Sequence, residues 1–159
     1  LEGDPKEWID KIRAAMYASK ICSYAQGFTL LRRASEEYQY GLNFGEIASL
    51  WRGGCIIRAA FLDKIRAAFE RNPKLPNLLM DPEFVKELIP QTDKWRDIVA
   101  AGLGAGIPLP AMSASLSYFE ALRREVLPAN LIQAQRDFFG AHTYKRRDMD
   151  GSYHTIWEK

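Results

Sequence analysis

Apolar side chains recur every three or four residues along most of this chain, the spacing of helices that bury one face. Asp4-Pro5-Lys6-Glu7 reads as a helix start. Asp4 can cap, Pro5 suits the first turn, and Glu7 completes a capping box. Ile9, Ile12 and Met16 follow at helical spacing, with small Ala15, Ala18 and Ser19 between them. Ile21, Tyr24, Phe28 and Leu31 carry the pattern on without a proline. One long helix over about 4–38 is predicted, ended before Gly41. Its small residues would let a neighbouring helix approach closely.

The same logic predicts a run of further helices. Asn43 opens a short one through Trp51, which Gly53 and Gly54 break. Ile56 to Glu70 reads as an amphipathic helix, stopped at Asn72-Pro73. Asp81-Pro82 starts another, to about Leu88, and Pro90 or Thr92 opens the next, to about Ala101. Pro108 and Pro110 precede a helix near 111–125, and Pro128 starts a last one that ends at Phe139-Gly140. Beyond Gly140 the period disappears, and the tail is polar with scattered Tyr144, Tyr153 and Trp157. Aromatics in such a tail imply that it packs on its own domain or on a partner. No alternating β pattern and no internal repeat is present. The expected class is all-α, a single helical domain over 1–159 with a core at 1–140 and an extended tail at 141–159.

Bulk composition narrows the function classes. A chain of 159 residues with 47% hydrophobic content can bury about 70% of the surface its unfolded form exposes. Twenty-two basic and 20 acidic residues leave a net charge of +2, too balanced to argue for nucleic acid. Arg32-Arg33 and Arg123-Arg124 stand beside acids in helical patterns and read as solvated faces; Lys145-Arg146-Arg147 is too short for a polybasic signal. Cys22 and Cys55 lack the spacing of a zinc site and read as buried free thiols in a reducing cytoplasm. No apolar run reaches the ~18 residues of a membrane span, and no signal-peptide pattern is present. The chain begins Leu-Glu-Gly-Asp without an initiator Met, as a piece of something longer would.

Several strings invite chemical readings. Gly102-Leu-Gly-Ala-Gly106 suggests a dinucleotide loop, but it follows a helix and has Ile107 where the third glycine belongs. Helix termination with close backbone packing is the better account. In Trp51-Arg-Gly-Gly-Cys-Ile-Ile-Arg58, Arg52 and Arg58 could hold an anion, yet a tight helix junction with internally paired arginines fits better. Lys20 could be a base if buried; a snorkelling surface lysine is the plainer reading. No nucleophile elbow or catalytic triad can be assembled. There remain Arg136, near a helix C-terminus, and His142, just past it. A guanidinium fork grips a phosphate in two places, and an imidazole beside it can donate or accept a hydrogen bond. The competing reading pairs Arg136 with Asp137 or a neighbour and leaves His142 structural.

Four blocks carry a family resemblance: Tyr17-Ala-Ser-Lys-Ile-Cys-Ser-Tyr-Ala-Gln-Gly27, Trp51-Arg-Gly-Gly-Cys-Ile-Ile-Arg58, Ala105-Gly-Ile-Pro-Leu-Pro110, and Pro128-Ala-Asn-Leu-Ile-Gln-Ala-Gln-Arg-Asp-Phe-Phe-Gly-Ala-His-Thr-Tyr144. In order and spacing they resemble the decarboxylating 6-phosphogluconate dehydrogenases. Lys145-Arg146-Arg147 with Gly151-Ser-Tyr-His-Thr155 looks like bacterial members. The resemblance implies an oxidoreductase of the pentose phosphate pathway that uses NADP. It would oxidise 6-phosphogluconate at C3 and release CO2 to give ribulose 5-phosphate. It also implies a cytoplasmic homodimer whose tail threads into the partner subunit. Arg136 would then bind substrate phosphate, and His142 substrate polar groups, in the partner's active site.

The coenzyme fingerprint, catalytic lysine and catalytic glutamate of that family all lie upstream of this chain. The resemblance therefore implies a C-terminal fragment that lacks the Rossmann domain, carries no catalytic residue of its own and is inactive alone. NADP would be held mainly by the missing domain, and no metal is implied. Lys20 does not sit in the family's catalytic motif. A stand-alone helical dimerisation or interaction protein without catalysis is the alternative.

Overall fold

The computed structural model describes residues 3–157. Leu1, Glu2, Glu158 and Lys159, at the two ends of the expected domain, lie outside the described residues. Seven α-helices are found among the described residues, with no β-strand. The chain divides into two compact units, Leu1–Glu120 and Ala121–Lys159. The helical pattern runs on to Gly140, yet the last helix groups with the tail rather than with the preceding helices.

The first unit is organised by α1 (Pro5–Tyr38). Asp4 caps it by accepting from the Lys6 amide, and Pro5 occupies its first turn, as the sequence predicts. Ala14, Ala15, Ala18, Cys22 and Ala25 are its buried stripe. Such small side chains let α5 (Thr92–Gly104) pack closely along it. α2 (Phe44–Leu50) is capped by Asn43 and packs on α3 (Phe61–Arg71). Phe28 of α1 meets Trp51 and Phe69 at ring-centroid distances of 5.3 Å each. Short 3₁₀ turns at Leu78–Met80 and Ile89–Gln91 flank α4 (Pro82–Leu88), and α6 (Pro110–Leu122) follows α5.

Two buried polar residues pin the loop between α3 and α4. Asn77 donates to Thr29 Oγ1 at 3.0 Å and to the Tyr118 hydroxyl at 2.7 Å, and accepts from the Leu79 amide. Asp81 caps α4 through the Glu83 and Phe84 amides and takes both Arg71 bonds at 2.8 Å. A buried carboxylate is tolerable only when its oxygens are satisfied in this way.

Two expectations are corrected. The helix read from Ile56 begins five positions later, at Phe61. Residues 51–60 form turns, with Gly54 at φ 102°, and the Tyr24 hydroxyl donates to the Ile57 carbonyl that a helix would have used. Ile56 is 100% exposed. Cys55, read as buried, is exposed on that turn; Cys22 is buried, and burial pushes its thiol up to about 12.

The other strings resolve plainly. Gly102 is a close-packing position: a Cβ there would meet Leu109 Cδ1 at 2.4 Å. Gly106, at φ 74°, turns the chain out of α5. Arg52 pairs with Asp63. Lys20 is exposed, its ammonium 5.2 Å from the Tyr17 ring centre and 5.1 Å from that of Phe61.

Candidate functional site

α7 (Asn130–Gly140) carries the groups with the most chemistry. It ends at Ala141, a left-handed residue at φ 48° whose amide donates to the Asp137 carbonyl at 2.9 Å. His142 comes next, and Thr143 is left-handed again at φ 62°. Two such non-glycine residues cost on the order of 1–3 kcal/mol each and persist only when their surroundings fix them. Here the Thr143 amide donates to Asp137 Oδ1 at 3.2 Å. The His142 ring folds back over the helix end and meets Phe139 edge-on, with centroids 5.8 Å apart. It lies so close to Gly140 that a Cβ there would stand 2.6 Å from Nε2.

Asp137 is fully buried. Besides Thr143, it accepts from His154 Nδ1 at 2.9 Å, the Thr155 amide at 2.9 Å and Trp157 Nε1 at 3.1 Å. Burial alone would raise its pKa. The bonds from Thr155, His154 and Trp157 outweigh this and hold it down to about 2. An ionised carboxylate can only accept, so His154 carries its proton on Nδ1. Arg136, its chain neighbour, is not among its partners. The competing reading, an Arg136–Asp137 pair, therefore fails: the carboxylate is fully occupied by the tail. Arg136 and His142 are both exposed.

The tail is folded rather than simply extended. Tyr144 and Tyr153 exchange backbone bonds of 2.9 Å in an isolated antiparallel bridge, and Gly151, at φ 120°, turns the loop between them. Trp157 packs edge-on against Phe138 of α7, with centroids 5.7 Å apart. The tail aromatics thus find partners within their own unit. Arg146 takes a two-point bond to Asp148, and Arg147 reaches Glu125 at 3.6 Å. A cleft of about 470 Å³ opens beside them, lined in part by Gln133, Tyr144, Lys145, Arg146 and Trp157.

The residue pattern singles out Arg136 and His142 but not Asp137 and His154, which the structure brings together. The available signal is an aspartate on the last helix facing a tail with a histidine and a tryptophan that have no other role. The pattern also gives no sign of a cluster in the first unit, where the Tyr17 hydroxyl donates to Glu87 and Lys64 donates to Glu87 at 2.6 Å. Burial and Glu87 raise the Tyr17 pKa, and the bond to Glu87 raises that of Lys64. Burial opposes ionisation of Glu87, but Lys64 and Tyr17 lower its pKa on balance. Each group is held in its ordinary charge state at neutral pH, as in a structural network. Among the described residues, no group of three or more His, Cys, Asp or Glu is placed to hold a metal ion, and no helix is long and apolar enough to cross a membrane.

Comparison with known proteins agrees with these features. A family model described as "6-phosphogluconate dehydrogenase, C-terminal domain" matches residues 1–157. "6-Phosphogluconate dehydrogenase, decarboxylating 2" of Arabidopsis thaliana is 58% identical, over 98% of this chain and 32% of its own length. The Synechococcus elongatus decarboxylating enzyme is 56% identical, over 98% of this chain and 33% of its own. The solved Plasmodium falciparum 6-phosphogluconate dehydrogenase superposes with a TM-score of 0.90 at 48% identity, covering 98% of this chain and 33% of that one. The chain therefore spans about a third of the relatives it matches. Plant and cyanobacterial enzymes are among the similar relatives, so the likeness read from the tail is plant- and cyanobacterial-like rather than clearly bacterial. With its all-α fold and its tail folded against α7, the chain belongs to the 6-phosphogluconate dehydrogenase C-terminal domain family.

Proposed function

We propose that this chain is the C-terminal part of an NADP-dependent 6-phosphogluconate dehydrogenase that converts 6-phosphogluconate to ribulose 5-phosphate and CO2. Its share of that work is to build the homodimer and to lend Arg136 and His142 to the partner subunit's substrate site. The observation that carries this reading is the state of Arg136. It is exposed, and the carboxylate beside it is fully engaged elsewhere, so its fork is left for an anion. His142, six residues on, is exposed on a turn fixed at both flanks and can bond a hydroxyl or carboxylate of the same ligand.

The Plasmodium falciparum relative is described in complex with its cofactor NADP+ and with its substrate 6-phosphogluconate. The residues present here do not fit a dinucleotide: the Gly102–Gly106 run ends a helix and opens none at the pyrophosphate position. The coenzyme and the catalytic groups belong, in this reading, to the part of the enzyme that precedes the chain. The proposed compartment is the cytoplasm, although several relatives are named as chloroplastic.

Steady-state kinetics test the reading. In the full-length enzyme, Arg136→Ala should raise the KM for 6-phosphogluconate at a cost on the order of 2–3 kcal/mol, the weight of a charge-assisted bond. The isolated 159 residues should show no turnover with NADP and 6-phosphogluconate. An unchanged KM would remove the phosphate role, and turnover by the isolated chain would remove the claim that the chemistry lies elsewhere.

A further inference from the structure

Gripping a phosphate requires nothing of Asp137, yet Asp137 is the best-connected side chain in its unit. Capping α7 uses only its backbone carbonyl, which receives the Ala141 amide. The side chain has a separate set of four donors, drawn from residues 6, 17, 18 and 20 positions along the chain. The position of His142 follows from both. Ala141 on one side and Thr143 on the other are left-handed and would relax if released, and each amide is held by residue 137. The imidazole is thus suspended between two clamps that share one origin.

We propose that Asp137 is a positioning residue for His142, its carboxylate setting the turn that presents the imidazole to a substrate. The inference rests on the reading of Arg136 and His142 as substrate-gripping groups. It also explains the conformation of the rest of the tail. Oδ1 serves Thr143 and His154, and Oδ2 serves Thr155 and Trp157, so the turn and the returning segment 153–157 are fixed by the same group. The low pKa of this carboxylate keeps both oxygens as acceptors across the physiological range. An amide of the same shape offers one oxygen to one pair of donors and turns N–H groups toward the other.

Asp137→Asn in the full-length dimeric enzyme tests this. The KM for 6-phosphogluconate should rise about tenfold or more, while that for NADP stays within about twofold. In a His142→Ala background the same substitution should add less than about twofold, because the group it positions is gone. A purely structural role would not show this loss of effect. If Asp137→Asn yields no dimeric enzyme, Asp137→Glu, which keeps the charge and displaces the oxygens by one methylene, is read by the same two measures. An unchanged KM for 6-phosphogluconate overturns the inference, as does an effect in the His142→Ala background as large as in the wild type. If His142→Ala raises the KM and Asp137→Asn does not, positioning alone falls. If His142→Ala itself changes nothing, the substrate-site reading of His142 falls, and the positioning inference with it.

Discussion

Leu62, Ile65, Leu78 and Trp95 are fully buried in the first unit; among the described residues of the second, the buried residue is Asp137. One unit has an apolar interior, and the other is organised around a carboxylate. Leu131, Ile132 and Phe139 of α7 are 80%, 58% and 66% exposed. Apolar burial is non-directional, whereas four hydrogen bonds to one carboxylate fix direction as well as distance. The first arrangement suits a scaffold, and the second holds the side chains of the tail at particular angles.

The sharpest way to break this comparison is to truncate one large apolar side chain in each unit. Phe84→Ala, at a residue 1% exposed, should destabilise the first unit by about 3–5 kcal/mol, whereas Leu131→Ala should change the stability of the isolated chain by less than about 0.5 kcal/mol. Denaturant melts read both. A large cost at Leu131 would mean that the second unit has an apolar core after all.

Acid should separate the units next. Asp137 has a folded pKa near 2 against an ordinary 3.8, so the opened tail binds a proton more readily than the folded one. Its contribution is complete above about pH 4 and is lost as pH falls toward 2. Asp148, lowered to about 2 by Arg146, acts in the same direction. Hydrogen exchange of the Trp157 indole N–H, followed by NMR, should accelerate through that window while amides around Leu62 stay protected. Parallel loss of protection in both units would erase the distinction.

The finest probe is Gly140→Ala. The added methyl must displace the His142 ring, since a Cβ would lie 2.6 Å from its Nε2. Alanine otherwise suits a helical residue, so stability should change by less than about 1 kcal/mol. In the parent enzyme the KM for 6-phosphogluconate should rise while the melting temperature holds. A fall in melting temperature with an unchanged KM would assign Gly140 to packing alone.

Most of the fold is legible in local signals. Asp4, Asn43 and Asp81 cap helices that start where the sequence predicts, because a cap is decided within three residues. The start of α3 was misread for the opposite reason: the carbonyl that would have extended the helix is taken by Tyr24, 33 positions away. The site divides in the same way. Arg136 and His142 were legible as residue types beside a helix end. Asp137 was not, because its donors converge only when the Tyr144–Tyr153 bridge brings the chain back. Cys55 looked buried from its apolar neighbours, but Gly54 turns that stretch outward.

A buried carboxylate at the centre of a unit also changes how that unit responds to temperature. The heat-capacity increment of unfolding comes from newly wetted apolar surface and is offset by newly wetted polar surface. Opening the tail wets the Asp137 carboxylate and its donors along with the packed faces of Trp157 and Tyr144, a more polar mixture than the core around Trp95, so its enthalpy of opening should vary less between cold and warm conditions. The helices around Trp95 follow the strongly curved stability profile of an ordinary core, and the two parts of one chain thus differ in how steeply cold or heat loosens them.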